Sequence, residues 1–278
     1  MIISIASGKG GTGKTTVATN LAFSLKNVQF IDCDVEEPNA NIFINAKLKE
    51  NEEVTVKFPN IDKTKCDFCG KCSDFCAYNA LAVIPSDVLI FPELCHSCGG
   101  CKIVCPKDAI GWHKRSIGKI EHGRAKDIDF YHGLLNVGEM QAVPVINALK
   151  RKIDKTKNTI IDAPPGTSCP VIESISGSDY CILVTEPTPF GFHDLKLAVE
   201  VIKHLYIPFG IIINRDGIGY NKVDKFCDKE DIPILLRIPE RKKIANLYSK
   251  GIALVNESHE WNEMFNLVLN KIQETVKK

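Results

Sequence analysis

Residues 8–16 read Gly8-Lys9-Gly10-Gly11-Thr12-Gly13-Lys14-Thr15-Thr16, which fits G-x-x-x-x-G-K-[ST], directly after the apolar run Ile2–Ala6 and at the head of a helical pattern. Residues of these types at this spacing hold phosphate. The glycines let backbone N–H groups turn inward and the helix N-terminus adds positive potential; Lys14 reaches the outer phosphates, and the Thr15 hydroxyl is placed to ligate Mg2+. A second chemistry lies in eight of the twelve cysteines. Cys66, Cys69, Cys72 and Cys76 form C-x2-C-x2-C-x3-C, and Cys95, Cys98, Cys101 and Cys105 repeat the run 29 residues later. Tightly spaced thiolates of this kind bind a 4Fe-4S cluster, the fourth cysteine of each run crossing to the other cluster. Zinc sites also use C-x2-C, but rarely as three-cysteine runs in a tandem repeat.

The cysteine repeat resembles bacterial two-cluster ferredoxins. That resemblance implies one 4Fe-4S cluster on Cys66, Cys69, Cys72 and Cys105, and a second on Cys76, Cys95, Cys98 and Cys101. Pro106 follows the fourth cysteine of the second run as expected, whereas Ala77 stands at the matching position of the first, which loosens a turn and removes no ligand.

The phosphate loop carries a second lysine, Lys9, and in this it resembles the deviant loop of the MinD/ParA superfamily, the group that includes the nitrogenase iron protein and Mrp. The resemblance implies an ATPase in which Lys9 reaches across a dimer interface to the nucleotide. Ile31-Asp32-Cys33-Asp34-Val35-Glu36-Glu37-Pro38-Asn39 is similar to the family's first switch, where the residue matching Asp34 orients or deprotonates the attacking water. Asp32 is given no chemistry. Ile160-Ile161-Asp162-Ala163-Pro164-Pro165-Gly166 looks like the second switch, with Asp162 holding Mg2+ through water and the Gly166 N–H reporting the γ-phosphate. Asn214, in Ile213-Asn214-Arg215-Asp216, matches the position that hydrogen-bonds adenine. No guanine-reading N-K-x-D is found, so ATP is favoured over GTP.

Around these motifs the chain must supply rigid elements. Val- and Ile-rich runs at Ile2–Ala6, Val28–Cys33, Thr159–Ala163, Tyr180–Thr185, Phe209–Asn214 and Ile234–Ile238 lack polar alternation, as strands covered on both faces do. Helical patterns at Lys14–Leu25, Glu139–Lys152, Phe192–Leu205, Asn221–Lys229 and His259–Lys277 alternate with them. The expected fold is α/β: a doubly wound, mostly parallel sheet of the P-loop kind with an inserted small α+β ferredoxin-like domain. The expected organisation is residues 1–53 and 114–278 for the ATPase and 54–113 for the insert. Glycines punctuate Lys114–Asn136, which reads as a hairpin returning the chain to the sheet. Gly133–Glu139 reads as a loop entering a helix, where Glu139 favours the helix dipole and is given no chemistry.

Composition narrows the alternatives. With 35 basic and 34 acidic residues the formal net charge is +1, so no overall field draws nucleic acid or an anionic membrane. No apolar run spans a bilayer and no secretory layout is seen at the start, which gives an expectation of a cytoplasmic protein whose cysteines bind metal rather than pair. Cys33, Cys169, Cys181 and Cys227 are dispersed and read as core or loop thiols. The seven histidines lack ligand spacing. The last helix is amphipathic and ends at Lys277-Lys278, and packing on the sheet is the reading preferred to a membrane-surface role.

The leading expectation is therefore an ATPase with Asp34, Lys14 and Lys9 as catalytic groups, and with ATP, Mg2+ and two 4Fe-4S clusters as its ligands. It forms a homodimer, or a heterodimer with a related ATPase, and couples nucleotide state to electron transfer with an unidentified redox or cluster-accepting protein. The alternatives are an Mrp-like iron-sulfur cluster carrier and a MinD-like positioning ATPase. Neither nucleic-acid binding nor stable membrane anchoring is expected.

Overall fold

A computed structural model describes residues 1–217 and 219–277, and for residue 50 the backbone alone. Eleven strands are described: β1 (Ile2–Ala6), β2 (Val28–Asp32), β3 (Lys47–Ile61), β4 (Leu81–Ile84), β5 (Asp87–Ile90), β6 (Ile110–Ala125), β7 (Ile128–Leu135), β8 (Asn158–Asp162), β9 (Tyr180–Thr185), β10 (Phe209–Asp216) and β11 (Ile234–Pro239). The helices are α1 (Lys14–Ser24), α2 (Asn41–Ile44), α3 (Lys71–Phe75), α4 (Gly100–Ile103), α5 (Val143–Lys150), α6 (Cys169–Ile175), α7 (Pro189–His204), α8 (Lys222–Lys229), α9 (Lys242–Ser249), α10 (Leu254–Glu257) and α11 (His259–Val276).

Nine strands form one mixed sheet in the order β11-β10-β9-β1-β8-β2-β7-β6-β3. From β11 to β7 all neighbours are parallel, while β6 pairs antiparallel with β7 and with β3. Alternate residues of the parallel strands feed two faces. Ile3, Ile5, Ile160, Ile182 and Ile212 pack toward α1 and α11, and Ile161, Leu183, Ile211 and Ile213 toward the opposite helices. Covering both faces explains why these strands lack polar alternation. The last helix buries Phe265, Val268, Leu269 and Ile272 on this core, the packing role preferred from its pattern. Lys278 lies outside the described residues. No described helix is long and apolar enough to cross a membrane.

The hairpin expected over Lys114–Asn136 is β6–β7, and it is part of something larger. β3 and β6 pair along their whole length, from Lys47 opposite Arg124 to Ile61 opposite Ile110, as a ribbon that carries residues 62–109 at its tip. Residue 54, where the expected insert begins, lies inside β3, and Val54 and Val56 are buried with Ile117, Ile120 and Val145 of the main core. The helix expected from Glu139 starts only at Val143, because the Glu139 carboxylate accepts the N–H groups of Met140 and Gln141 and holds that stretch as a loop.

At the ribbon tip the repeat in sequence is a repeat in backbone. Phe68 and Ser97, Gly70 and Gly99, and Asn79 and Asp108, each pair 29 residues apart, share left-handed φ values. α3 and α4 occupy equivalent places after Gly70 and Gly99, and the β4–β5 hairpin lies beside them.

Candidate functional site

β1 delivers the chain to the loop 7–13, which leads into α1. Gly13 adopts φ +95°, and a Cβ there would lie 2.3 Å from the Asn214 amide nitrogen, so the loop admits only glycine at this point. That amide donates to the Thr12 carbonyl at 2.8 Å. Asn214, expected at the adenine, is thus seated against the phosphate loop at the end of β10. The Ser7 hydroxyl donates to the Lys9 carbonyl at 2.6 Å and further shapes the loop. The Thr12 hydroxyl is buried without a partner among the described residues.

Lys14, Asp32, Asp34 and Asp162 converge below the loop. Asp32 and Asp162 are register partners on β2 and β8, and both are almost fully buried. Asp32 accepts the N–H groups of Asp34 and Ala40, each at 3.1 Å, and so ties down the segment that carries Asp34. Burial, with repulsion from neighbouring carboxylates, raises Asp32 and Asp162, the latter to about 7, while the Thr15 side chain and Lys14 pull Asp162 back down. Burial also raises Asp34, against the pull of Lys14. It lowers the Lys14 ammonium, which Asp162, Asp34 and Asp32 hold up in turn. The Asp162 Oδ1 atom is buried and unpartnered among the described residues. An orphaned carboxylate oxygen beside a threonine hydroxyl suits a hydrated Mg2+ ion.

A pH dependence follows. A carboxyl whose folded pKa is raised binds more protons in the native than in the unfolded chain between its two pKa values, so stability falls as pH rises through that window. For Asp162 the window runs from the ordinary 3.8 to about 7. Carboxylates held below their usual range, such as Asp129 and Glu139, act in the opposite sense, so the informative quantity is a difference between proteins. Without Mg2+ and nucleotide, Asp162→Asn is expected to gain on the wild type by a few kcal/mol between pH 4 and 8, roughly. Urea melts in EDTA at several pH values would measure it; a pH-independent difference would contradict the raised carboxyl.

Two residues placed by motif have other partners in this structure. Lys9 forms an ion pair with Glu186, just past β9, which is 5% exposed and whose carboxylate also binds Arg215 at 2.9 Å. The Gly166 N–H donates to the Ser7 carbonyl at 3.0 Å. Contact of either with a nucleotide requires leaving these bonds. Glu186 is absent from the motif-based reading; its signal is an acid at the carboxyl end of a buried strand next to β1, where ligands bind in such sheets.

The eight repeat cysteines separate into two cavities. One is lined by Cys66, Cys69, Cys72 and Cys105, and the other by Cys76, Cys95, Cys98 and Cys101. Each quartet combines three cysteines of one run with the fourth of the other. The Cys76 and Cys105 sulfurs each accept a backbone N–H from four residues later, at 3.4 Å, from Ala80 and Ala109. Burial, with neighbouring sulfurs adding to it, raises the thiols of Cys72, Cys95 and Cys101, the last to about 11. Four sulfurs lining one cavity fit a multiply charged cationic core. Among the described residues no group of three or more His, Cys, Asp or Glu has the geometry to hold a single metal ion. Of the other thiols Cys33, Cys181 and Cys227 are buried, whereas Cys169 is exposed at the start of α6 rather than in the core.

A phosphate-type loop between a buried parallel strand and a helix, with acids at the ends of the adjacent strands, defines a P-loop protein of the doubly wound α/β class. The family model for the CobQ/CobB/MinD/ParA nucleotide binding domain matches residues 3–255, and the chain belongs to that family. It is 32% identical to an uncharacterized protein of Methanocaldococcus jannaschii over 96% of this chain and 95% of that one. It is 24% identical to the iron-sulfur cluster carrier protein of Pyrococcus abyssi, over 91% of this chain and 78% of that one. Among solved structures, the septum site-determining protein MinD of Pyrococcus horikoshii, complexed with Mg-ADP, shares the fold. Its TM-score is 0.59 at 22% identity, covering 98% of this chain and 95% of that one.

Proposed function

We propose that this protein is a Mg2+-dependent ATPase in which a nucleotide-driven dimer switch controls electron transfer through two 4Fe-4S clusters held by a ferredoxin-like insert. The observation that carries the reading is the crossed division of eight cysteines between two cavities at the tip of a ribbon rooted in the nucleotide-binding sheet. The insert in this reading spans residues 54–113, with its cysteine-bearing part at 62–109. Cys66, Cys69, Cys72 and Cys105 hold one cluster and Cys76, Cys95, Cys98 and Cys101 the other. Bound clusters supply one-electron transfer.

The chain's own residues do the rest. Backbone N–H groups of Gly8–Gly13 cradle the phosphates with Lys14, Thr15 and Thr16, and Thr15 and Asp162 hold Mg2+. Asp34 orients the attacking water, and burial raises its carboxyl above the usual range. Lys9 leaves Glu186 to reach a partner subunit's nucleotide, Gly166 reports the γ-phosphate, and Asn214 adjoins the base. The electron partner is a further protein, and the setting is the cytoplasm.

Cluster delivery, as the names of the Pyrococcus relatives suggest, is the second reading, and closed four-cysteine quartets weigh against ready release. Anaerobically purified protein is expected to carry about eight irons per chain, to reduce its partner protein faster with ATP, and to lose that ATP effect in Lys14→Ala. Equal reduction rates with and without ATP would sink the coupling. Transfer of iron and sulfide to an apo-acceptor would favour the carrier.

A further inference from the structure

The segment from the end of β7 to α5, residues 135–142, touches both halves of the molecule. On the nucleotide side, the Leu135 N–H donates to the Val35 carbonyl at 2.8 Å, one residue after Asp34. Val35 is itself buried against the β7–α5 junction, where a Cβ at Gly133 would come within 2.7 Å of it. On the cysteine side, Glu139 grips the Arg115 guanidinium from both oxygens, and Arg115 Nε donates to the Pro92 carbonyl at 3.1 Å. The Gln141 amide donates to the Cys95 carbonyl at 3.0 Å and lies 3.5 Å from the Glu93 carbonyl. The ion pair is mostly buried, with side-chain exposures of 17% for Arg115 and 7% for Glu139, so it moves as a unit rather than fraying into solvent.

We propose that this loop is the mechanical link between the two modules: a shift of Asp34–Val35 moves Leu135, and Glu139–Arg115 and Gln141 carry the displacement to the 92–95 segment. Arg115, Glu139 and Gln141 are positioning residues that act through Cys95. The link is selective. It ends on the quartet of Cys76, Cys95, Cys98 and Cys101, and none of these hydrogen bonds reaches Cys66, Cys69 or Cys72. The nucleotide state is therefore sensed by the second quartet and not by the first. This inference rests on the proposed nucleotide switch but not on electron transfer, since it concerns backbone order.

Amide hydrogen exchange on the anaerobically purified full chain tests it, comparing Mg-ADP with a non-hydrolysable Mg-ATP analogue. Exchange at residues 92–99 is expected to differ between the two nucleotides by about fivefold, the size of one hydrogen bond made or lost, with residues 66–72 unchanged. In Gln141→Ala, and separately in Glu139→Gln, the difference at 92–99 is expected to collapse while that at 33–41 persists, which a merely destabilising substitution would not produce. The electron paramagnetic resonance signal of the second cluster should lose its nucleotide dependence in the same variants. Equal exchange at 92–99 with both nucleotides in the wild type, or a difference that survives in both variants, would overturn the link. A wild-type response at 92–99 alongside ATP-independent partner reduction would leave the link standing and remove only the electron-transfer reading.

Discussion

Cys105→Ala is expected to empty the first cysteine quartet and leave the second filled, taking the iron content from about eight to about four atoms per chain. Cys105 stands in the second run of the sequence, yet its sulfur lines the cavity of Cys66, Cys69 and Cys72. The pairwise variants make the test sharp. Cys69→Ala combined with Cys105→Ala removes two ligands of one cluster, so the double variant should stay at about four irons, whereas Cys98→Ala combined with Cys105→Ala strikes both clusters and should approach none. The reverse pattern would show that each run keeps its own fourth cysteine, and would overturn the crossed assignment. Anaerobic iron and sulfide analysis reads the result directly. Retention of one mole of zinc per quartet, with no sulfide, would replace the cluster assignment altogether.

The second large effect is at the phosphate loop. Lys14→Ala is expected to lower ATP hydrolysis by about 10²–10³-fold, the loss seen when one preorganised donor to a developing charge is removed. The lysine is 8% exposed and faces Asp162, Asp34 and Asp32, which hold its ammonium charged against burial. Removing it also leaves those carboxylates without the cation that moderates them, so binding of a Mg2+-bearing triphosphate should weaken together with turnover. Calorimetric titration with Mg-ATP and a phosphate-release assay measure both, and a thermal melt confirms the fold. A folded variant that hydrolyses ATP at the wild-type rate would remove Lys14 from the machinery.

How far the sequence leads depends on the range over which each feature is encoded. The phosphate loop is local: Gly8 to Thr16 are neighbours in the chain, and their backbone needs, such as the left-handed turn at Gly13, are written in the residue types themselves. The cysteine runs are local in the same way. The buried parallel strands were legible because covering both faces leaves mostly apolar stretches without polar alternation in β1, β2, β8, β9 and β10. β3 was not, since Lys47, Lys49, Glu52 and Glu53 interrupt any apolar run there. The strand exists because its residues pair with ones more than forty positions away in β6.

The sequence by itself thus determined the chemistry available to this protein: a nucleotide loop, two acids at strand ends, and eight thiols in two spaced runs. Only the tertiary structure decided how those groups are shared. It brought Asp32 beside Asp162 through strand register, gave Lys9 the buried Glu186 as its partner, and joined Val35 to Cys95 through Leu135, Glu139, Arg115 and Gln141. None of these pairings leaves a local pattern. Each depends on which strand ends and loops the sheet order sets side by side, and that order follows from burying both faces of the whole sheet at once.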